Sequence, residues 1–70
     1  MTETLKISLR AARVNAGLTI TEAAEKLNVN RSTIINWEKN RTYPTVEQMT
    51  RLSTLYGISS DYIFFSRKYT

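Results

Sequence analysis

The chain has 70 residues, with no cysteine and no histidine, and its ten basic and six acidic side chains give a formal net charge of +4. This is the length of one domain near the lower limit for a stable hydrophobic core, and the missing residue types exclude disulfides, the usual zinc sites and catalysis by His or Cys. The excess of positive charge favours an anionic partner, of which nucleic acid is the commonest.

The first predicted helix covers about residues 4–16. Its apolar face is formed by residues at spacings of four, three and four, namely Leu5, Leu9, Ala12 and Ala16. Gly17 follows directly, and glycine is the residue that most readily ends a helix in the left-handed conformation. The helix is therefore expected to end just before Gly17.

The second predicted helix covers about residues 20–27 and begins with a clear start signal. The sequence TITE from Thr19 spells a capping box, in which the Thr19 hydroxyl accepts from the Glu22 N–H while the Glu22 carboxylate reaches back. The residues expected on the buried face are Ala23, Ala24 and Leu27. Because two of these are alanines, another helix can approach closely.

A short turn and the third predicted helix come next. Asn28 tolerates a positive φ and Asn30 is a favourable N-cap, so the chain is expected to turn between them. The third helix then covers about residues 31–39. Its inward side is expected to carry Ile34 and Trp37, which are three residues apart.

The fourth predicted helix begins after the loop that contains Pro44. Thr45 and Gln48 have the spacing of a capping box, and Gly57 marks the end of the helix. The residues expected on its buried face are Val46, Met49, Leu52 and Leu55.

A short fifth helix is predicted from Ser59 or Ser60 to about Phe65. No segment alternates apolar and polar residues convincingly, so no strand is expected. The whole chain, 1–70, is expected to form one compact all-α domain of five helices. The folded part of this domain is expected to cover about residues 5–65, and residues 66–70 are expected to form a frayed tail.

Nothing in the sequence predicts a membrane partner or a bound small molecule. The longest apolar run, Tyr62 to Phe65, is far shorter than a bilayer span, and the N-terminus has no signal-peptide core. We expect an intracellular protein with no enzymatic activity, no cofactor, no metal and no small-molecule substrate.

The second and third predicted helices, joined by their short turn, have the dimensions of a DNA-binding helix-turn-helix. The outward side of the third helix carries Arg31, Ser32, Ile35, Asn36 and Lys39. Arg31 can form paired hydrogen bonds with guanine, Asn36 can do so with adenine, and Ile35 can contact a thymine methyl group. The sequence leaves open the alternative that this is simply the solvated side of an amphipathic helix.

The segment from Leu18 to Pro44, LTITEAAEKLNVNRSTIINWEKNRTYP, resembles the lambda-repressor/Cro-type helix-turn-helix family of phage and bacterial regulators. The segment after it, TVEQMTRLSTLYGISSDYIFF, is similar to the fourth and fifth helices of that family. The resemblance covers about residues 5–65. It implies a lambda-repressor-like DNA-binding domain that regulates transcription.

The resemblance also implies roles for individual residues. The bases are expected to be read by Arg31, Ser32, Ile35 and Asn36. The residues expected at DNA phosphates are Thr19, Lys39, Asn40, Arg41 and Thr42. Arg10 and Lys6 are also expected to contact phosphates, because they are positively charged. Ile20 stands where the family commonly has a glutamine against DNA, and isoleucine cannot donate that hydrogen bond.

Two further expectations concern the body of the domain and its assembly. Arg13 and Glu38 match a family pair, and we expect a partly buried ion pair that fixes the third helix; the alternative is two independent surface charges. Family members bind as two-fold dimers with half-sites about 34 Å apart. The outward dimer residues of the fifth helix are expected to be Ser60, Tyr62 and Phe65, with Ile63 and Phe64 in the core. The alternative is that the exposed aromatic side chains of this helix are ordinary surface residues.

The resulting hypothesis is a sequence-specific regulator that binds double-stranded DNA. We expect a Cro-like phage or prophage repressor that binds a palindromic operator as a homodimer, in the bacterial cytoplasm and at the nucleoid. If the chain is complete, its five-residue tail has no room for a second domain, and we expect Cro-like use of one bare domain. The alternative is a protein–protein module, such as an antitoxin or anti-repressor. That alternative would be favoured by an apolar outward face on the third helix, whereas this face is largely polar and charged.

Overall fold

The computed structural model describes residues 7–59 and 62–64. Within these residues, four helices follow one two-residue strand and precede another. The elements are β1 (Ile7–Ser8), α1 (Leu9–Asn15), α2 (Ile20–Leu27), α3 (Arg31–Glu38), α4 (Val46–Tyr56) and β2 (Ile63–Phe64). The two strands pair in parallel, with Ile7 opposite Ile63 and Ser8 opposite Phe64. The domain is thus mostly helical, and a short sheet joins its two ends.

The helix starts at α2 and α4 are fixed by the predicted capping boxes, both of which are confirmed. Thr19 Oγ1 accepts from the Glu22 N–H at 3.0 Å, and the Glu22 carboxylate accepts from the Thr19 N–H at 2.9 Å. In the same way, Thr45 Oγ1 accepts from the Gln48 N–H at 3.1 Å, and Gln48 Oε1 accepts from the Thr45 N–H at 2.8 Å. These bonds satisfy amides that a helix start otherwise leaves without an intrahelical partner.

The turn between α2 and α3 depends on Asn28, which has the predicted left-handed conformation with φ of 59°. Its N–H donates to the carbonyls of Ala24 and Glu25 and so closes α2. Val29 follows and packs, half-buried, against the core. The reversal therefore needs only three residues, and α2 and α3 remain in close contact.

The core lies where the four helices meet. Its buried hydrophobic residues are Leu9, Ala12, Ala23, Ala24, Leu27, Ile34, Trp37, Leu52, Tyr56 and Ile63. The predicted inward faces of α2 and α3 are confirmed, because all of their residues belong to this set. On α4, Leu52 is buried as expected, while Met49 and Leu55 are half-buried against it.

The prediction of a fifth helix is wrong for the described residues, since the structure has four helices there. The Tyr62 N–H donates to the Ser59 carbonyl at 3.0 Å, and the two residues after Tyr62 form β2. Aromatic and β-branched residues such as Ile63 suit an extended backbone. Ile63 is nevertheless buried, as predicted.

The start of the first helix also differs from the prediction. Ile7 and Ser8 are extended and pair with β2, so α1 begins at Leu9. The Ser8 hydroxyl accepts from the Ala11 N–H at 3.1 Å and acts as the N-cap. Leu5, which was expected on the apolar face, lies outside the described residues.

Two residues that were expected to be buried are exposed. Ala16 follows the last residue of α1 and closes the helix through its N–H, with its side chain in solvent. Val46 is 86% exposed because it is the first residue of α4. Side chains of a helix lean toward its N-terminus, so that of Val46 extends beyond the body of the domain.

No helix in the described part of the chain is long and apolar enough to cross a membrane. The same residues contain no cluster of three or more Asp, Glu, Cys or His side chains that could hold a metal ion.

Candidate nucleic-acid interface

Helix α3 has one buried side and one accessible side. Ile34 and Trp37 are 1% and 4% exposed and anchor the helix on the core. On the other side, the four predicted base readers are Arg31 and Ser32, which are exposed, and Ile35 and Asn36, which are half-buried. The accessible side is therefore polar at its N-terminal end, where a recognition helix contacts base edges.

The N-terminus of α3 is capped only in part. Asn30 occupies the predicted N-cap position with extended backbone, and its carbonyl accepts from the Thr33 N–H at 3.0 Å. Its side chain forms no hydrogen bond with the helix. The backbone amides of the first turn thus keep a partial positive charge beside Arg31.

The loop after α3 contains four of the predicted phosphate contacts. Its conformation depends on Asn40, which has φ of 62°. The backbone amides of the loop already donate to carbonyls of α3: Lys39 to Ile35 at 2.9 Å, Asn40 to Trp37 at 3.1 Å, and Arg41 and Thr42 to Asn36 at 2.9 and 3.5 Å. The side chains of Lys39, Arg41 and Thr42 are exposed. The groups that this loop offers to a phosphate are therefore its side chains.

Arg13 and Glu38 are brought together between α1 and the end of α3. Arg13 Nε donates to Glu38 Oε2 at 2.6 Å and Nη2 donates to Oε1 at 3.2 Å, while Nη1 donates to the Leu18 carbonyl at 3.0 Å. Both side chains are nearly buried, at 9% and 8% exposed. The hydrogen bond to Glu38 raises the pKa of Arg13. One guanidinium thus joins α1, the α1–α2 connection and α3.

Tyr56 lies close to this ion pair and was missed by the sequence analysis. It is 7% exposed, and its burial, with a smaller effect of the Glu38 charge, raises its pKa from 10.0 to about 12. The positive charge of Arg13 acts in the opposite direction. The available signal was its spacing of four residues from Leu52, which puts both side chains on the buried face of α4.

The buried phenol predicts a loss of stability at alkaline pH. Tyrosinate is disfavoured in the folded state, so the folded chain keeps this proton to higher pH than the unfolded chain, and stability falls as pH rises from about 10 to about 12. Relative to the wild type at neutral pH, we expect about 1 kcal/mol to be lost near pH 11. Urea unfolding at both pH values, with Tyr56→Phe as the comparison, measures it. A Tyr56→Phe variant that loses as much stability as the wild type would contradict the assignment.

The remaining predicted residues are dispersed or lie outside the described part. Thr19 is exposed, and its hydroxyl already caps α2. Arg10 is exposed on α1, and Tyr62 is 46% exposed beside β2. Three predicted residues lie outside the described residues, namely Lys6, Ser60 and Phe65; so does the side chain of Phe64.

The comparisons with known proteins agree with this geometry. The helix-turn-helix family matches residues 9–63, a span that contains all four helices. The HTH-type transcriptional regulator ImmR of Bacillus subtilis (strain 168) is 42% identical over 55 residues, which cover 79% of this chain and 43% of ImmR. The chain therefore spans less than half the length of that relative. The match and the arrangement of α2 and α3 show that the chain belongs to the Cro/CI-type helix-turn-helix family.

Proposed function

We propose that this protein is a sequence-specific transcriptional regulator that inserts α3 into the major groove of double-stranded DNA. The observation that carries the proposal is the two-sidedness of α3. Ile34 and Trp37 hold it on the core while Arg31 and Ser32 are exposed. Membership of the helix-turn-helix family and the likeness to a transcriptional regulator support the same function.

Binding divides between contacts that give affinity and contacts that give selectivity. Phosphate contacts supply most of the affinity and carry no sequence information. We assign them to the exposed cations Arg10, Lys39 and Arg41, with Thr19, Asn40, Thr42 and Lys6 as further contacts. The bases are read by Arg31, Ser32, Ile35 and Asn36. The Arg13–Glu38 pair acts indirectly, since it holds the end of α3 against α1.

The regulator is proposed to act as a homodimer on a palindromic operator, in the manner of a Cro-like phage or prophage repressor in the bacterial cytoplasm. Helix α3 has eight residues, so it is about 12 Å long and reaches only a few base pairs. Two copies with half-sites about 34 Å apart would double the contacts. Tyr62, 46% exposed, is the described residue that we assign to the subunit contact, together with Ser60 and Phe65.

Selection of bound sites from a random pool of duplex DNA tests this function. We expect one enriched motif, arranged as two inverted half-sites about one helical turn apart. Enrichment of a single half-site would support DNA recognition and contradict the dimer. A pool without any enriched sequence would contradict the proposed function.

Loss of one phosphate contact is expected to change the salt dependence of binding. Lys39→Ala should weaken binding to the selected site and to random duplex alike, and should lower the slope of log K against log salt concentration by about 0.9. Lys26→Ala is the matched control, because Lys26 is exposed on α2 and outside the proposed contacts. A slope that is the same for Lys39→Ala and wild type would remove Lys39 from the interface.

A further inference from the structure

We propose that a surface groove between α1, α2 and α3 binds a small organic anion free in solution, and that this ligand excludes DNA from the protein. The groove has a volume of about 360 Å³ and is lined by Arg10, Arg13, Ile20, Ile35, Glu38 and Lys39. Ligand sites in proteins have volumes of roughly 300–1,000 Å³, so this groove suits a small molecule. The ligand site is inferred from the groove alone, whereas its effect on DNA rests on the proposed function.

The apolar part of the groove is formed by two half-buried isoleucines from different helices. Ile20 is the first residue of α2, and Ile35 lies in the middle of α3. Ile20 packs against the core, whereas Ile35 is not among the partly buried hydrophobic residues that do so in the described part of the chain. Ile35 therefore presents apolar surface to the groove. A ligand with an apolar group gains free energy by covering that surface and removing it from water.

The charged residues of the groove give it a net charge of +2, because it has three cationic side chains and one carboxylate. Arg13 and Glu38 are bonded to each other at 2.6 Å, and both side chains are nearly buried. Arg10 and Lys39 are exposed and form no ion pair within residues 7–59 and 62–64. An anion that enters the groove therefore meets two cations without a countercharge, while the carboxylate of Glu38 is already neutralised.

The polar atoms of the groove indicate which part of the ligand is enclosed. Among the described residues, no buried side-chain nitrogen or oxygen lacks a hydrogen-bond partner. The side chains of Ile20 and Ile35 can neither donate nor accept a hydrogen bond. The enclosed part of the ligand is therefore apolar, and its charge lies beside Arg10 and Lys39. An aryl or alkyl group joined to a phosphate or carboxylate has this form, and arginine can bind either anion through two hydrogen bonds.

A ligand bound in this way covers residues that we assign to DNA. Arg10 and Lys39 are proposed phosphate contacts, and Ile35 is a proposed base contact. The two cations cannot neutralise the ligand and the DNA backbone at the same time, so the ligand and DNA compete. Binding of either one lowers the affinity for the other by the same factor. The ligand would thus release the regulator from its operator.

The first test is an NMR titration of the isotope-labelled full chain, without DNA, with phenyl phosphate at constant pH and ionic strength. We expect saturable chemical-shift changes at the amides of Ile20, Ile35 and Lys39. Phenyl phosphate should bind about tenfold more tightly than inorganic phosphate, because part of its ring is removed from water. It should also bind more tightly than phenol, which has the ring without the charge. Equal affinities for phenyl phosphate and inorganic phosphate, or shifts centred outside the groove, would overturn the inference.

Two variants remove the apolar and the cationic part of the site separately. Ile35→Ala should weaken binding of phenyl phosphate about fourfold, the effect of about one methylene group left uncovered, and should not change binding of inorganic phosphate. Lys39→Gln should weaken binding of both anions. Because Lys39 is exposed, its variant tests the site even if circular dichroism shows that Ile35→Ala is unfolded. Val46→Ala is the control, since Val46 is an exposed aliphatic residue of α4 outside the groove. Unchanged binding of phenyl phosphate in Lys39→Gln, or in a folded Ile35→Ala, would refute the site.

The last test adds phenyl phosphate to the complex of the protein with its selected duplex. We expect displacement of the protein at about a tenfold lower concentration than with inorganic phosphate, again at constant ionic strength, in proportion to the two affinities. Binding in the groove that leaves the DNA complex intact would overturn the exclusion of DNA. A protein that selects a DNA site but shows no binding in the groove would overturn this inference alone. A protein that binds the anion in the groove but selects no DNA sequence would overturn the proposed function, and with it the competition.

Discussion

Arg13→Ala and Glu38→Ala are each expected to lower the free energy of unfolding by about 3–5 kcal/mol, a large fraction of the stability of a domain of this size. The loss is large because the remaining member of the ion pair stays buried without its partner. Both side chains are less than a tenth exposed. Among the described residues, removal of Arg13 leaves the Glu38 carboxylate without a countercharge, and removal of Glu38 leaves the Arg13 guanidinium with only its bond to the Leu18 carbonyl. The cost is therefore the burial of an unpaired charge, which exceeds the net contribution of the pair itself.

Urea unfolding of the two single variants and the double variant measures this as a double-mutant cycle. We expect the double variant to lose much less than the sum of the single losses. The chain contains its own matched control in Arg51 and Glu47, which are 3.0 Å apart on α4 but 57% and 74% exposed. The same cycle on that pair should give about 0.3–0.5 kcal/mol.

Small, additive losses at Arg13 and Glu38 would contradict the structural role of the pair. A second consequence concerns α3, whose last residue is Glu38. Variants of the pair that are still folded at low temperature should bind DNA more weakly, although neither residue is assigned a contact with it. Addition of DNA should in turn raise their melting temperature by mass action.

The parts of the fold that the sequence predicted are those specified by local chemistry. Capping boxes at Thr19 and Thr45 depend on side chains three residues apart, and the left-handed turn at Asn28 depends on one residue. The periodicity of α2 and α3 identified their buried faces, because the apolar side of an amphipathic helix packs on the core whichever elements form that core.

The parts that the sequence did not predict depend on residues distant in the chain. Ile7 and Ile63 pair near the two ends of the domain, and strands of two residues are too short to show alternation. Val46 has the spacing of a core residue but sits at a helix start, where the body of the domain no longer covers it. In these cases the structure depends on where the residue lies in the folded domain and not on its local sequence pattern.

The candidate site divides in the same way. Helical spacing was enough to bring the residues of α3 to one face, because they share one helix. By contrast, the surface groove that both Ile20 of α2 and Ile35 of α3 line follows only from how these separate helices pack. Side chains that share one face of one helix are therefore predictable from sequence, whereas surfaces built by two elements need coordinates.

Arg31→Ala is expected to have the largest effect on selective DNA binding. Arg31 is exposed in the first turn of α3, the part of a recognition helix that contacts base edges. Loss of a paired hydrogen bond to guanine costs about 1–3 kcal/mol, which weakens binding to the selected site by about five- to 150-fold. Binding to random duplex should change little, because phosphate contacts supply it.

Titration of both duplexes with Arg31→Ala, Arg31→Lys and Arg51→Ala separates reading from charge. Arg31→Lys keeps the charge but lacks the planar fork, so it should recover little of the selectivity if Arg31 forms paired bonds. Arg51→Ala removes an exposed arginine that pairs with Glu47 on α4, and should leave both affinities unchanged. Equal losses on the two duplexes in Arg31→Ala, with full recovery in Arg31→Lys, would make Arg31 a phosphate contact. Sequence choice would then depend on Ser32, Ile35 and Asn36.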